Sequence, residues 1–166
     1  MDAIGGAAAD AMMDRMDFRI RKQQNHVRPD WVDDRDTLFL TLCHKHRGSS
    51  RFRSAAAWDA LVFGAEHLKA VGKWKPLLLL AMPDHLHALV RIPREHDIAQ
   101  TIGSFKRAVS HIHPTNWQGA GFEHRLRGQD QYMAKRAYIL MNPVRAGYVV
   151  YPEQWPYRRS WEPRGL

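Results

Sequence analysis

The hydrophobic positions of this chain fall into short blocks separated by turn residues. Thr37-Leu38-Phe39-Leu40-Thr41-Leu42-Cys43 is an apolar run of strand length and predicts the first strand. Ser54 opens a helical stretch to about Val71, with Ala57, Leu61, Ala65, Leu68 and Val71 on one stripe and Gly72 as stop signal. Residues 74–82 predict a second strand, made irregular near its start by Pro76. Pro83-Asp84 marks a hairpin into a third strand over residues 85–92. A second helix begins at Asp97 and runs through Ile98, Ile102, Phe105, Val109 and Ile112, with Lys106 and Arg107 on its outer side. Gly119 and Gly121 mark a loop, residues 122–126 a short strand, and Asp130 the start of a last helix. That helix is expected to end at Pro143, which lacks a backbone donor and disfavours helix before it, with Gly147 in the exit turn. The order is strand, helix, strand, strand, helix, short strand, helix. It predicts an α+β fold of ferredoxin-like type, an antiparallel sheet with helices packed on one face.

The third strand carries chemistry on one face. With a side-chain period of two, His85, His87 and Leu89 project together, while Leu86, Ala88, Val90 and Ile92 form the core face. Two imidazoles about 7 Å apart along a strand can converge on one small cation. Ten histidines make an incidental H-x-H plausible, and two further pairs exist. His44-Lys45-His46 leaves an apolar run for a basic loop, and His111-Ile112-His113 closes a helix, where a spacing of two turns side chains about 200° apart. Both of those pairs read as solvated or nucleic-acid-facing. The last helix supplies a second element. Tyr138 and Asn142 are four apart and share a helix face, so a phenol and an amide oxygen are presented together. Beside two histidines they would make a nucleophile and a third ligand, a set suited to Mg²⁺ or Mn²⁺. The plainer alternative packs Tyr138 in the core and leaves Asn142 capping the helix end.

Charge changes the picture of partners. The 166 residues carry a net +8, with a sequence pI of about 10.0. Residues 101–166 hold ten Lys/Arg against four Asp/Glu, so most of the excess lies in the last third. This favours a polyanionic partner, nucleic acid before membrane, because no basic amphipathic anchor is present. The longest apolar run, residues 77–82, is far too short to span a bilayer, and no cleavable signal pattern is evident. A single cysteine, Cys43, excludes an internal disulfide, fits a reducing compartment and reads as a small buried hydrophobe. The expectation is a cytoplasmic, nucleoid-associated protein. Residues 1–30 read as a disordered basic extension, with Arg19, Arg21, Lys22 and Arg28 as an arm for phosphates. Residues 31–166 read as one domain with a basic C-terminal tail.

Met82-Pro83-Asp84-His85-Leu86-His87-Ala88-Leu89-Val90 is followed about fifty residues on by Tyr138-Ile139-Leu140-Met141-Asn142-Pro143-Val144-Arg145-Ala146-Gly147. This pair of motifs resembles the REP-associated tyrosine transposases, a bacterial branch of the HUH single-strand nucleases. The resemblance runs over residues 37–161. It includes Ser104-Phe105-Lys106, Trp117-Gln118 with Gly121-Phe122-Glu123-His124, and the closing Trp155-Pro156-Tyr157-Arg158-Arg159-Ser160. It implies that His85 and His87 bind a divalent metal, Mg²⁺ or Mn²⁺, that Asn142 adds a further metal contact, and that Tyr138 is the nucleophile. The implied reaction is cleavage of single-stranded DNA at or near palindromic hairpins, through a 5′-phosphotyrosine that a strand hydroxyl can reverse. A free phenol ionises at about pH 10, so deprotonation needs help; the metal, Lys135, Glu123 and water are all open as the agent. Lys106, Arg107, Arg125, Arg127, Arg145, Arg158 and Arg159 are the implied DNA contacts, with Trp117 or Trp161 stacking on an unpaired base. The tail around Arg158 and Arg159 is the segment most expected to touch DNA.

Three departures qualify the match. The N-terminal arm is not the expected start, and residues 47–53 are unusually rich in Gly, Ser and Arg. The family divides between dimers with shared sites and monomers, and the longer tail leans towards the monomer. An alternative reading is a domesticated hairpin-binding protein without transposition. A histidine-dependent phosphoesterase of another kind ranks lower: position 89 is Leu where a third alternating histidine is needed, and no His-x-Thr/Ser repeat is present.

Overall fold

The computed structural model describes residues 36–46, 48–119 and 121–161. The basic extension expected over residues 1–30 lies outside the described residues. Among the described residues five strands form one antiparallel sheet: β1 Thr37–Cys43, β2 Lys75–Ala81, β3 His85–Arg91, β4 Phe122–Leu126 and β5 Arg158–Ser160, in the spatial order β4-β1-β3-β2-β5. Among the described residues three helices accompany it, α1 Ala55–Ala70, α2 Ile98–Ile112 and α3 Gly128–Arg145, with a short 3₁₀ turn at Pro152–Gln154.

The sheet is covered on both sides, which is why its central strands read as near-continuous apolar runs. Leu38, Leu40 and Leu42 of β1 and Leu86, Ala88 and Val90 of β3 face α1 and α2, meeting Leu61, Leu68, Phe105 and Val109. The alternate residues Phe39, Leu78, Leu80 and Leu89 face the other way and meet Tyr132 and Ile139 of α3 and Trp155. The α+β antiparallel sheet is as expected, but the helices do not all lie on one face as the sequence reading had them: α1 and α2 cover one face and α3 crosses the other. The reason lies on the histidine face itself, where Leu89 and Phe39 continue as an apolar surface that needs a cover.

Local signals set most of the boundaries. Ser54 Oγ accepts the Ala57 N–H at 3.2 Å, and Asp97 Oδ1 accepts the Gln100 N–H at 2.7 Å, capping α1 and α2. The register of β2 against β3 shifts between Pro76 and Leu78, the irregularity that the proline implies. Where α1 meets α2, a Cβ added to Gly64 would lie 2.8 Å from Val109 Cγ2, so the glycine permits the close approach.

Other boundaries differ from the sequence reading. Helix α3 starts at Gly128 rather than Asp130 and runs through Pro143 to Arg145. Pro143 sits in the last turn, where only one intrahelical bond is forfeited. The helix closes as a Schellman motif: Gly147 at φ +73° donates to the Val144 carbonyl, and Tyr148 donates to that of Pro143. Val71 and Ile112, placed on the apolar stripes, are 51% and 52% exposed, because each lies past the end of the packed helix face. The C-terminal segment is not a free tail. It folds back as β5 on the edge of β2, with Leu78 opposite Ser160 and Leu80 opposite Arg158.

Candidate active site

The two strand-borne histidines stand side by side on the face covered by α3, their ring centroids 4.7 Å apart and nearly perpendicular. The antiparallel register explains their neighbours. Thr41 of β1 lies opposite His87, and Cys43 opposite His85, so these cross-strand residues share the histidine face. Thr41 Oγ1 is 3.0 Å from His87 Nδ1. His85 Nδ1 is 2.7 Å from Asp84 Oδ1, both side chains being only 14% exposed. Each imidazole is thus held through Nδ1 by a protein oxygen. That is the support usual behind a metal-ligating histidine, which then offers Nε2. Thr41 and Asp84 were not singled out from the sequence. Asp84 is visible there as the neighbour of His85, whereas Thr41 emerges only once the strand register is known.

Helix α3 brings Tyr138 to the same place. Ile139 is fully buried in the core of this face, so the preceding residue is carried to its margin, half-buried. The Tyr138 ring lies 6.5 Å from that of His87, centroid to centroid. Two cations accompany it. Lys135 Nζ is 4.8 Å from the Tyr138 ring centroid and 4.6 Å from that of Phe39, and the Arg145 guanidinium carbon is 4.1 Å from the Tyr138 centroid. Positive charge beside a phenol favours negative charge developing on its oxygen. Glu123, a candidate base, lies opposite Leu40 on β4, on the side of the sheet turned to α1 and α2 and away from Tyr138.

Asn142 is one turn along from Tyr138, but its amide is engaged. Oδ1 accepts from Arg145 at 2.7 Å, and the same guanidinium donates to the Tyr138 carbonyl at 3.1 Å. Asn142 Nδ2 is buried with no hydrogen-bond partner. For a divalent cation the two imidazoles fit the donor requirement. Asn142 offers its oxygen only when Arg145 releases it. Among the described residues no group of three His, Cys, Asp or Glu is placed to hold a metal ion.

The basic residues divide into tied and displayed. Lys106, expected on the outer side of α2, is half-buried. Its Nζ donates to the carbonyls of Gln118 and Gly119 at 2.9 and 3.3 Å, and burial holds its ammonium below the usual lysine range, opposed by Cys43. Arg125 pairs with Asp36 at 3.7 Å, and Arg107 donates to Ser104 Oγ at 3.0 Å. Arg159 donates to Glu66 at 2.8 Å, and Arg158 to the Glu153 carbonyl at 3.4 Å. Arg127, at the N-terminus of α3, is exposed. The two candidate stacking indoles are also occupied: Trp117 Nε1 donates to Ser110 Oγ at 3.0 Å, and Trp161 Nε1 to Glu66 at 2.8 Å. His44, read as solvated or nucleic-acid-facing, is instead 4% exposed, its ring 6.1 Å from that of Phe52. It lies just past β1, where an N–H to the Asp84 carbonyl and a bridge to Trp117 extend the sheet by one residue.

The site thus consists of an H-x-H strand at the centre of an antiparallel α+β sheet, with a tyrosine-bearing helix laid across the histidine face. The chain is similar in sequence to the REP-associated tyrosine transposase of Escherichia coli (strain K12), 27% identical over 81 residues that cover 47% of this chain and 49% of that protein. A second relative, from Haemophilus influenzae, is also 27% identical, over 101 residues covering 51% of this chain and 57% of that protein. The chain thus spans about half the length of the curated relatives it matches. Its fold is similar to that of a REP-associated tyrosine transposase solved bound to a REP hairpin, with a TM-score of 0.66 and 22% identity over 81% of this chain and 82% of that one. No family model matches. In sequence and in fold, the chain is similar to REP-associated tyrosine transposases. No helix among the described residues is long and apolar enough to cross a membrane.

Proposed function

We propose that this protein is a metal-dependent nuclease and strand transferase for single-stranded DNA, acting at or near hairpins through a 5′-phosphotyrosine on Tyr138. The observation that carries the reading is the Tyr138 ring 6.5 Å from His87, beside the paired imidazoles. His85 and His87 would hold Mg²⁺ or Mn²⁺, and a cation there supplies positive charge against the oxygens of the scissile phosphate. Tyr138 Oη attacks phosphorus as the P–O3′ bond breaks, leaving a 3′-hydroxyl and a phosphotyrosine. The phenolic proton leaves to solvent and the departing 3′ oxygen takes one up, so protons balance across the step. Lys135 and Arg145 stand beside the ring and stabilise the charge that builds on Oη. Because the phosphodiester is conserved in the covalent bond, the hydroxyl of another strand can reverse the step. The hairpin is proposed as substrate because the structural relative was solved with one and the basic excess calls for a polyanion.

The test is incubation of the full chain with a pool of hairpin-bearing single-stranded DNAs and Mg²⁺ or Mn²⁺, followed by mass spectrometry. A DNA adduct on Tyr138 that vanishes with EDTA and in Tyr138→Phe is the expected result. Hairpin binding without any adduct, unchanged by Tyr138→Phe, would replace it with a hairpin-binding role. That alternative has one observation in its favour, the engagement of Asn142 by Arg145.

A further inference from the structure

Asp84, in the β2–β3 hairpin, joins the site to the segment that follows β1. Oδ1 is 2.7 Å from His85 Nδ1, Oδ2 accepts the Gly48 N–H at 2.8 Å, and the carbonyl accepts the His44 N–H at 2.8 Å. Next to it, the Pro83 carbonyl accepts the Phe52 N–H at 2.9 Å. One hairpin therefore holds both ends of the segment between β1 and α1. That segment displays Lys45, His46, Arg51 and Arg53, all exposed, in an arm already notable for its glycine, serine and arginine. A single carboxylate joins this basic arm to a histidine of the site.

We propose that Asp84 is a positioning residue with two tasks, fixing the tautomer of His85 and pinning the basic arm beside it. A carboxylate only accepts hydrogen bonds, so the hydrogen shared with His85 belongs to Nδ1. In neutral imidazole this leaves the lone pair on Nε2, the nitrogen a cation would use. His87 is different. Its Nδ1 neighbour is the Thr41 hydroxyl, which donates or accepts and so imposes no tautomer. The second task follows from Oδ2. Gly48 is bonded to one oxygen of the carboxylate and His85 meets the other, so the side chain that orients His85 also pins the arm. Grip on a phosphate backbone and orientation of the site are thereby set by one side chain. The ligand half of this assignment rests on the metal site proposed above; the pinning half does not.

The experiment uses the full chain, metal-free and mildly alkaline, with nitrogen–proton correlation spectra of the histidine rings. The expected result is an Nδ1–H tautomer for His85 in the parent and a shift towards Nε2–H in Asp84→Ala. Trypsin cleavage after Arg51 and Arg53 should accelerate in the same variant, and Mn²⁺ affinity should fall by about 10- to 100-fold. Asp84→Asn, which keeps the shape and one acceptor oxygen, should lose one contact and lie between. It also serves if the alanine variant does not fold. An Nε2–H tautomer in the parent, or a tautomer and tryptic pattern unchanged in both variants, overturns the proposal. A parent with the Nδ1–H tautomer that takes up no Mn²⁺ supports the positioning role and overturns only the metal reading.

Discussion

Ile139 tests whether α3 holds Tyr138 through the sheet. The helix buries only Tyr132, Ile139 and Pro143, and Ile139 is fully buried among Phe39, Leu80, Leu89 and their neighbours. Ile139→Ala removes three carbons from that contact. At about 0.8 kcal/mol per buried carbon the transfer term is roughly 2.4 kcal/mol. The cavity left between a helix and a sheet adds to it, so the loss should be about 3–4 kcal/mol. That is a large share of the roughly 5–15 kcal/mol available to a domain of this size. Met141, two residues on, is 39% exposed and provides the control: Met141→Ala should stay within about 0.5 kcal/mol. Urea unfolding followed by tryptophan fluorescence measures both. Hydrogen exchange should show the α3 amides opening first in Ile139→Ala, because their helix has lost its central anchor. An Ile139→Ala loss below about 1 kcal/mol, or one no larger than that of Met141→Ala, would refute the claim that α3 is seated on the sheet by this residue.

Three further predictions concern other contacts. Gly64→Ala gains up to about 1 kcal/mol of helix propensity but drives a Cβ against Val109 and Phe105, costing about 1–3 kcal/mol; a net loss is expected in urea midpoint, and a stabilised variant would show that α1 and α2 are not in close contact. Glu66 is held below the ordinary carboxylate range by the Trp161 indole N–H, with burial opposing and Lys69 and Arg159 adding to the lowering. The stabilisation it gives β5 is therefore present above the ordinary carboxylate pKa and lost as pH falls through the lowered value, and it stays below about 1 kcal/mol because the pair is partly exposed. Trp161 fluorescence should shift on acidification and lose that transition in Glu66→Gln; an unchanged acid transition would place its origin elsewhere. In DNA binding, Arg127→Ala should lower the slope of log K against log salt by about 0.7–0.9, while Lys106→Ala should leave it unchanged because Lys106 serves the 118–119 carbonyls; equal slopes for the two variants would defeat this division.

Much of the site was legible in the sequence because its logic is local. The alternation of His85, Leu86, His87 and Ala88 assigns two faces to β3 without any knowledge of its partners, and the structure has those faces as read. Tyr138 and Asn142 share a helix face by spacing alone, and Ser54, Gly72 and Asp97 mark helix ends by their own chemistry. What was not legible depends on contacts distant in sequence. Arg158-Arg159-Ser160 has no apolar content that announces a strand. It becomes one because Trp155 packs on the α3 face of the sheet and Trp161 is bonded to Glu66, so the residues between them are drawn along β2. Likewise Thr41 sits behind His87 only through the pairing of β1 with β3.

The charges follow the same rule, and they bear on the site. A count of arginines predicts a partner but not which side chains meet it, since each can spend its charge inside the fold. Arg159 is bonded to Glu66, Arg125 pairs with Asp36 and Lys106 caps loop carbonyls. Arg145 lies against Tyr138 and holds Asn142. Lys45 and Arg51, by contrast, are exposed in the arm pinned by Asp84, as Arg127 is at the start of α3. Exposed positive charge therefore lies in the arm joined to His85 through Asp84 and at the start of α3, while Arg159 of the C-terminal strand is bonded to Glu66. Arg145, which holds Asn142 Oδ1 and the Tyr138 carbonyl, ties together the two residues that the helix spacing presents on one face.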